Sequence, residues 1–368
     1  MADVKDKLII RDLQARAVWV PLGRPVATRV GTFAEWPLIL IDLYTEEGIT
    51  GRSYLAPYLK QAARYLIPAL QDIAKAMRGQ EVAPAHTWQK TRASLSLLGH
   101  QGVSTMAVAG LDMACWDILA KAAGVPLVTL LGGTIGPVRA YNSNGLGLLP
   151  PDKVADEALQ LLAEGNFRAL KVRVGRDTLA EDLAAVRSVR KAVGDEVILV
   201  CDFNQGLTVG EALRRCRALD VEDVYWIEEP IAYDDLDGNA KVARETATPI
   251  QLGENFYGPR ALYQAIAAGA CDYVMPDLMR IGGVTGWLRA AAIADASGIE
   301  MSTHLYPEIS SHLMRVTPTA HWLEWQDWAH PVLAEPFKVI EGHIHIRNVP
   351  GNGLDWNEGA VARYRYEL

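Results

Sequence analysis

A parallel (β/α) barrel joined to a smaller α+β domain is the fold class that this sequence predicts, on three observations. Asp202, Glu228 and Glu254 each close a short apolar run (VILVCD, VYWIEE and PIQLGE), and 26 residues separate each from the next. Amphipathic stretches fill the intervals, so strand and helix alternate as in a parallel sheet. The N-terminal portion lacks that alternation and shows extended runs followed by helices, the pattern of an α+β unit. A lone carboxylate after a buried strand is costly unless it is paired or binds a cation. Three at one interval mark equivalent ends of successive βα units. On a barrel those ends share one rim, where catalytic groups gather. A doubly wound sheet would instead concentrate its ligands at one switch point.

The elements follow in order. Residues 8–20 (LIIRDLQARAVWV) and 38–44 (LILIDLY) predict strands, with a loop from Pro21 to Pro37 between them. Gly48 in TEEGITG predicts a turn into a third strand. Residues 60–78 and 103–123 predict helices, the second buried because small and apolar residues surround it on all sides. The Gly/Pro stretch at 132–137 marks a boundary. Beyond it, YNS predicts the first barrel strand, and 152–165 a helix that stops at Gly165. ALKVRV carries Lys171 and Arg173, and 178–193 predicts a helix with Gly194 as its stop. YVMPD, IEMSTH and HWLE continue the series with Asp277, His304 and Glu324, at gaps of 23, 27 and 20 residues. A barrel of ~250 residues with eight units averages roughly 30 residues per unit. After residue 331 another extended run, EGHIHIRN, precedes a Gly/Pro loop. The expected division is an N-terminal α+β domain at 1–135, a barrel at 136–330, and a segment at 331–368 that returns to the first domain.

At 368 residues the chain can bury a large core. A hydrophobic share of 50% and a charged share of 22% are ordinary for a soluble globular protein. The net charge of −8 opposes a general affinity for nucleic acid or anionic membrane, although it leaves an anionic small-molecule substrate open. MADVKDKLIIRD has no secretory character, and no apolar run reaches membrane-spanning length. Cys115, Cys201, Cys216 and Cys271 are scattered without CxxC spacing, which suits buried thiols in a reducing compartment. The expectation is a cytoplasmic, soluble enzyme.

A ring of carboxylates is what a hard cation such as Mg2+ requires, and Mn2+ accepts the same oxygen ligands. His304 with Asp277 at the neighbouring strand end suits proton abstraction near neutral pH. Glu229 is expected to support Glu228 rather than act as a ligand. His312, His321, His343 and His345 are expected in packing or surface roles. The glycines of RIGGVTG predict a tight loop, since no Walker-type Lys-Ser/Thr follows.

The segments KVR, CDFNQ, WIEEP, GENF, MPDLMRIGGVTGW, STHLYPEIS and TAHWLE resemble, in order and spacing, the mandelate racemase group of the enolase superfamily. The likeness runs from VPLGRPV to PGNGLDW. It implies a (β/α)7β TIM-like barrel with an α+β N-terminal capping domain completed by the C-terminal tail. It further implies Asp202, Glu228 and Glu254 as Mg2+ ligands and His304, paired with Asp277, as base. Lys171 and Ser143 would hold a substrate carboxylate, Glu324 would donate a hydrogen bond to it when protonated, and Asn204 would contact the α-substituent. The loop around residues 24–36 would close over the substrate, where Arg24 and Arg29 hint at polar groups. Members of the superfamily stabilise an ene-diolate with a Lys or His base and Mg2+. A homo-oligomer is the expected assembly.

One departure matters. The second lysine of the group's Lys-x-Lys motif is Arg173 here. Arginine stays protonated in nearly all proteins, whereas lysine can be tuned toward neutrality. One working base, His304, suits dehydration of a polyhydroxy (sugar) acid: it removes the α-proton and then protonates a departing β-hydroxyl. The alternatives are a mandelate-type 2-hydroxy acid racemase and a non-catalytic, acid-binding descendant.

Overall fold

The computed structural model describes residues 7–367. The chain opens with a three-stranded antiparallel sheet: β1 (Ile10–Thr28), β2 (Gly31–Thr45) and β3 (Thr50–Leu55), in the order β1-β2-β3. Helices α1 (Ala63–Met77), α2 (Pro84–Ser94) and α3 (Val103–Ala122) cover it. Among the described residues, α3 alone is long and apolar enough to cross a membrane, and 78% of its apolar window is buried inside the molecule. Small residues let it lie against the sheet. A Cβ on Gly51 would sit 2.2 Å from the Ala114 carbonyl oxygen, so β3 and α3 approach closely only because Gly51 has none.

The expected loop at Pro21–Pro37 is corrected. β1 and β2 run on through it to Thr28↔Gly31, and the ladder breaks only between Pro21 and Val26. Prolines do not fit a regular ladder, but they are tolerated where pairing lapses. The segment VATRVGTF beyond them keeps the β-branched residues that favour strand. The result is a long hairpin whose far end leaves its own sheet.

A short helix α4 (Leu127–Leu130) leads to the barrel. Its strands and helices alternate: β4 (Pro137–Asn142), α5 (Pro151–Ala163), β5 (Ala169–Arg173), α6 (Leu179–Val193), β6 (Ile198–Asp202), α7 (Val209–Leu219), β7 (Ile227–Glu228), α8 (Leu236–Glu245), β8 (Ile250–Leu252), α9 (Pro259–Ala267) and β9 (Tyr273–Val274). Two helices, α10 (Leu278–Ile281) and α11 (Gly283–Ala296), follow β9. The seventh strand position is held by single parallel bridges, Val274↔Met301 and Asp277↔His304. After α12 (Pro307–Met314), β10 (Leu323–Trp325) pairs in parallel with β4 and closes the ring. The one α-helix after β10 among the described residues, α13 (Glu358–Tyr364), packs on β1 and not on the barrel, so the barrel is (β/α)7β. Helix α6 shows why such segments stop where they do: Thr178 and Glu181 form a reciprocal capping box, and Gly194 ends the helix at a positive φ.

The tail does two things. β11 (Val339–Ile340) and β12 (His343–His345) add an antiparallel pair to the outer edge of β4. The chain then crosses to the first domain, where α13 (Glu358–Tyr364) lies against β1. Buried Asp117 of α3 accepts from the backbone N–H groups of Arg52 and Asn352, tying the tail to the sheet. The four cysteines are buried and free.

Inside the barrel, Tyr141, Ala169, Val200, Trp226 and Trp322 pack together below the rim. Each lies two residues before a polar rim residue, so side-chain alternation makes the next inward position a charged or polar one. The capping sheet meets the barrel through Tyr54 and Tyr306. The Tyr54 hydroxyl donates to Glu308 at 2.7 Å, and Ala56 N–H donates to the Tyr306 hydroxyl at 2.8 Å.

Burial pushes Glu308 up to about 7 from an ordinary value of 4.5. The folded protein therefore binds this proton more tightly than the unfolded chain. The stabilisation is fully present below the unfolded value and is lost as pH rises through 7. Glu308→Gln keeps an acceptor for Tyr54 and removes the buried charge. Denaturant titrations should find the variant more stable than wild type at pH 8, by up to about 3 kcal/mol, and no more stable at pH 4.5. A difference that stayed constant across that range would exclude Glu308 as its source.

Candidate active site

The rim collects the polar residues that end the strands. Arg173 pairs with Asp202 across β5 and β6, and Asp202 with Glu228 across β6 and β7. Glu254 lies just past β8, and a bridge sets Asp277 beside His304. Residues 26 apart in sequence thus become neighbours on a ring. Glu324 on β10 completes the circle next to Ser143, which follows β4.

Lys171 stands at the centre of the acidic residues. Its Nζ lies 3.3 Å from Asp202, 3.1 Å from Glu228 and 2.6 Å from Glu324. Burial alone would lower Lys171, but these three carboxylates raise it well above its ordinary value. Burial pushes Asp202 up, and it pushes Glu228 well up with help from the charge of Asp202. Burial would also raise Glu324, yet Lys171 and His304 pull it down to about 2. Glu324 is an ion-pair partner of Lys171 here, and Leu305 N–H donates to its Oε2 at 3.0 Å.

His304 is clamped from both sides. Its Nδ1 lies 2.9 Å from Asp277 Oδ2, while Nε2 lies 3.1 Å from Glu254 Oε2. Asp277 is itself fixed, because its other oxygen caps α10 by accepting from Arg280 N–H. Burial opposes the charged imidazole, but Glu254, Glu324 and the hydrogen bond to Asp277 raise His304 well above its ordinary value. The same pairing, with Arg280, takes Glu254 well below the carboxylate range in spite of its burial.

Arg173 is locked. Its Nη1 donates to the Gly145 carbonyl at 2.5 Å, and both terminal nitrogens lie 3.3 Å from the Ser143 carbonyl. Ser143 is fully buried behind it and binds Arg173 and Gln326 through its hydroxyl. Ser143 does not line the cavity, which corrects its expected contact with substrate.

That cavity is small, about 70 Å3, and lies between rim and hairpin. The barrel contributes Lys171, Arg173, Asp202, Asn204, Gln205, Glu254, His304, Gln326 and Trp328. The capping domain contributes Val26, Thr28, Val30, Phe33, Trp36 and Tyr58. Asn204 donates to Asp202 through Nδ2, and its Oδ1 is buried without a partner. The flap arginines are elsewhere. Arg24 pairs with Glu157 and Glu164, and Arg29 extends toward Asp177 at 3.9 Å with nearly half its side chain exposed. Neither lines the cavity, so the polar flap expected from them is corrected to an apolar one.

Two site residues escaped the sequence. Tyr58 stacks parallel to His304, with its hydroxyl 3.4 Å from Nε2, and Arg280 lies over its ring. It reaches the site from the other domain, and no local pattern marks it. Gln326 does carry a signal: it stands two residues after Glu324 on a strand and so faces the same way.

Asp202, Glu228 and Glu254 fit a hard cation by charge and by chemistry. All three are buried oxygen donors, and Glu228 Oε2 is buried with no hydrogen-bond partner. Among the described residues, no three His, Cys, Asp or Glu side chains converge to metal-ligand spacing. Lys171 and His304 contact these carboxylates and hold them in separate ion pairs.

Comparison with known proteins matches residues 10–132 to the mandelate racemase / muconate lactonizing enzyme N-terminal domain and residues 153–360 to the enolase C-terminal domain-like family. A solved enolase from the alpha proteobacterium BAL199 with bound Mg is 54% identical, covers 98% of this chain and 100% of its own, and superposes with a TM-score of 0.96. An enolase from Bradyrhizobium complexed with magnesium and mandelic acid is 43% identical, covers 99% and 100%, and gives 0.95. L-Talarate/galactarate dehydratase of Salmonella typhimurium is 31% identical over 93% of this chain and 87% of its own. Other curated relatives include cycloisomerases and epimerases.

Calorimetric titration with Mg2+ tests the carboxylate ring. Asp202→Asn, Glu228→Gln and Glu254→Gln should each weaken binding by at least the roughly 10–100-fold that changes beside a ligand cost. Affinities equal to wild type in all three variants would place the cation elsewhere.

Proposed function

We propose that this chain, which belongs to the mandelate racemase/muconate lactonizing enzyme group of the enolase superfamily, removes the α-proton of a 2-hydroxycarboxylate from one face and completes the reaction as a dehydration. It is an enzyme of the lyase or isomerase kind. The observation that carries the reading is the clamped Asp277–His304 pair in a cavity whose other strand-borne base position holds a locked arginine.

Asp277 accepts from His304 Nδ1 and so leaves Nε2 to take the α-proton. Arg173 cannot serve as a second base, because a guanidinium keeps its proton and its terminal nitrogens are committed to carbonyls. It supplies a fixed positive charge. Lys171 adds another where negative charge develops on the carboxylate. Glu324 aims Lys171. Asp202, Glu228 and Glu254 would hold Mg2+, which when bound would supply Lewis-acid stabilisation of the ene-diolate. The proton taken by His304 then passes to the β-hydroxyl, the C–O bond breaks, water departs, and the enol left behind becomes a 2-oxo acid.

The cavity narrows the substrate. Asn204 Oδ1 and Gln326 Oε1 are buried acceptors without partners, and both suit hydroxyl donors near the α- and β-carbons. The hairpin side offers Val26, Val30, Phe33 and Trp36, and its one hydroxyl, on Thr28, already donates to the Gly31 carbonyl. Each hydroxyl left unpaired against that wall would cost about 1–3 kcal/mol. This favours a 2,3-dihydroxy acid with an apolar remainder over a long polyhydroxy chain. The second reading, racemisation of an aromatic 2-hydroxy acid, draws on the same apolar wall and on the relative complexed with mandelic acid.

Proton NMR in D2O with Mg2+ and each enantiomer of a panel of 2-hydroxy and 2,3-dihydroxy acids separates the readings. Wild type should exchange or dehydrate one enantiomer and leave the other untouched. His304→Asn should lose about 10²–10⁴-fold, the usual contribution of a general base. Arg173→Met should retain exchange on the His304 side. Equal exchange of both enantiomers would favour the racemase, and no exchange with any acid would favour a binding protein that has lost turnover.

A further inference from the structure

We infer that Arg24, Glu157 and a backbone bond between Ala27 and Leu148 form a latch that holds the hairpin shut over the active site, with Arg24 as a positioning residue. The inference rests on the proposed reading of the cavity as the substrate site. A cavity of about 70 Å3 is far below the roughly 300–1,000 Å3 of ordinary ligand pockets. A substrate acid needs more room than this, and the hairpin end is the wall of the cavity that no barrel strand carries.

What holds the roof down is specific. Past the break at Pro21–Val26 the hairpin end rests on the barrel: on the loop after β4, on Trp328 through Trp36, whose ring centroids are 4.4 Å apart, and toward Asp177 through Arg29. Leu148 N–H donates to the Ala27 carbonyl at 2.8 Å. Arg24 Nε lies 3.0 Å from Glu157 on α5, and Nη2 donates to Glu164 at 2.9 Å. Glu157 is nearly buried and also accepts from the backbone of Leu146, so it joins Arg24 to the loop. Between them Gly147 provides the clearance. A Cβ there would sit 2.6 Å from Ala27 O and 2.8 Å from Ala27 N, and both contacts are backbone.

The other side of this loop grips the active site. Arg173 N–H donates to the Leu146 carbonyl at 2.9 Å, and its guanidinium takes the Gly145 carbonyl. One strip of loop, residues 143–148, therefore receives the hairpin on one side and anchors Arg173 on the other. Closing the roof and setting the fixed cation are the same event.

The test uses the full-length protein with Mg2+ and four forms: wild type, Gly147→Ala, Arg24→Gln and Arg24→Lys. Chymotrypsin cleavage at Phe33 and Trp36, followed by mass spectrometry, reads the open population without any substrate. Steric and electrostatic weakening should act alike. Gly147→Ala and Arg24→Gln should each speed cleavage about tenfold, and KM should rise by the same factor because only the closed fraction binds productively. Arg24→Lys, which keeps one ion pair, should fall between them and wild type. Cleavage rates equal to wild type in both weakened forms would overturn the latch. Inactivity of wild type toward every acid would defeat the reading of the site, and the cleavage rates would still decide the latch. If circular dichroism shows Gly147→Ala unfolded, the two Arg24 variants decide it.

Discussion

The ion cluster around Lys171 is the constraint on which the rest of the structure depends. Six carboxylates, Asp202, Glu228, Glu229, Glu254, Asp277 and Glu324, are buried at the barrel rim. They face four basic side chains, Lys171, Arg173, Arg280 and His304, so the carboxylates outnumber the basic groups by two. An uncompensated buried charge costs several kcal/mol even after relaxation. A rim built this way contributes little to stability, and a divalent cation cancels the excess. The barrel must therefore be held by other means, and it is. The lower interior is a packed plug of Tyr141, Ala169, Val200, Trp226 and Trp322, and the strands are fixed by parallel ladders from β4 to β9.

That arrangement explains which parts of the site were legible. Ser143, Lys171, Asp202, Glu228 and Glu324 obey a two-residue rule: plug, then rim. Val200 precedes Asp202, Trp226 precedes Glu228, and Trp322 precedes Glu324, which in turn precedes Gln326. The even interval between carboxylates is the length of one strand, one helix and two turns, so periodicity in sequence becomes adjacency on the ring. Tyr58 obeys no such rule. It is delivered by a loop of the other domain, and only the docking of Tyr54 on Glu308 and of Ala56 on Tyr306 brings it over His304. The hairpin was misread for a related reason. Its prolines signal a loop, yet Pro21 and Pro37 stand in register in the ladder, only Pro25 falls where it lapses, and pairing resumes at Val26.

Arg24 shows the limit of reading charge from sequence. An arginine in a segment expected over the substrate suggests contact with it. In the structure two glutamates on and beside α5 take that guanidinium, and the side chains that do face the cavity are aliphatic and aromatic. Arg173 is the opposite case. Its replacement of lysine was visible, and its consequence could be argued from chemistry alone. What could not be read was its confinement by the Ser143 and Gly145 carbonyls, which belong to a loop with no motif.

Chemistry and selectivity are thus written on different units, for a mechanical reason. The base, the carboxylates and the lysine stand on or beside ladder-paired strands, where a one-residue slip would turn every rim residue out of the barrel. They cannot drift. The hairpin end is held by one backbone bond, three ion pairs, the packing of Trp36 on Trp328 and the absence of a Cβ at Gly147, so its other side chains can change without disturbing the ring. Loops on a rigid scaffold tolerate such variation. This accounts for relatives near 30% identity that carry dehydration, cycloisomerisation and epimerisation on one frame. In this chain the same freedom has placed Val26, Phe33 and Trp36 above a fixed arginine.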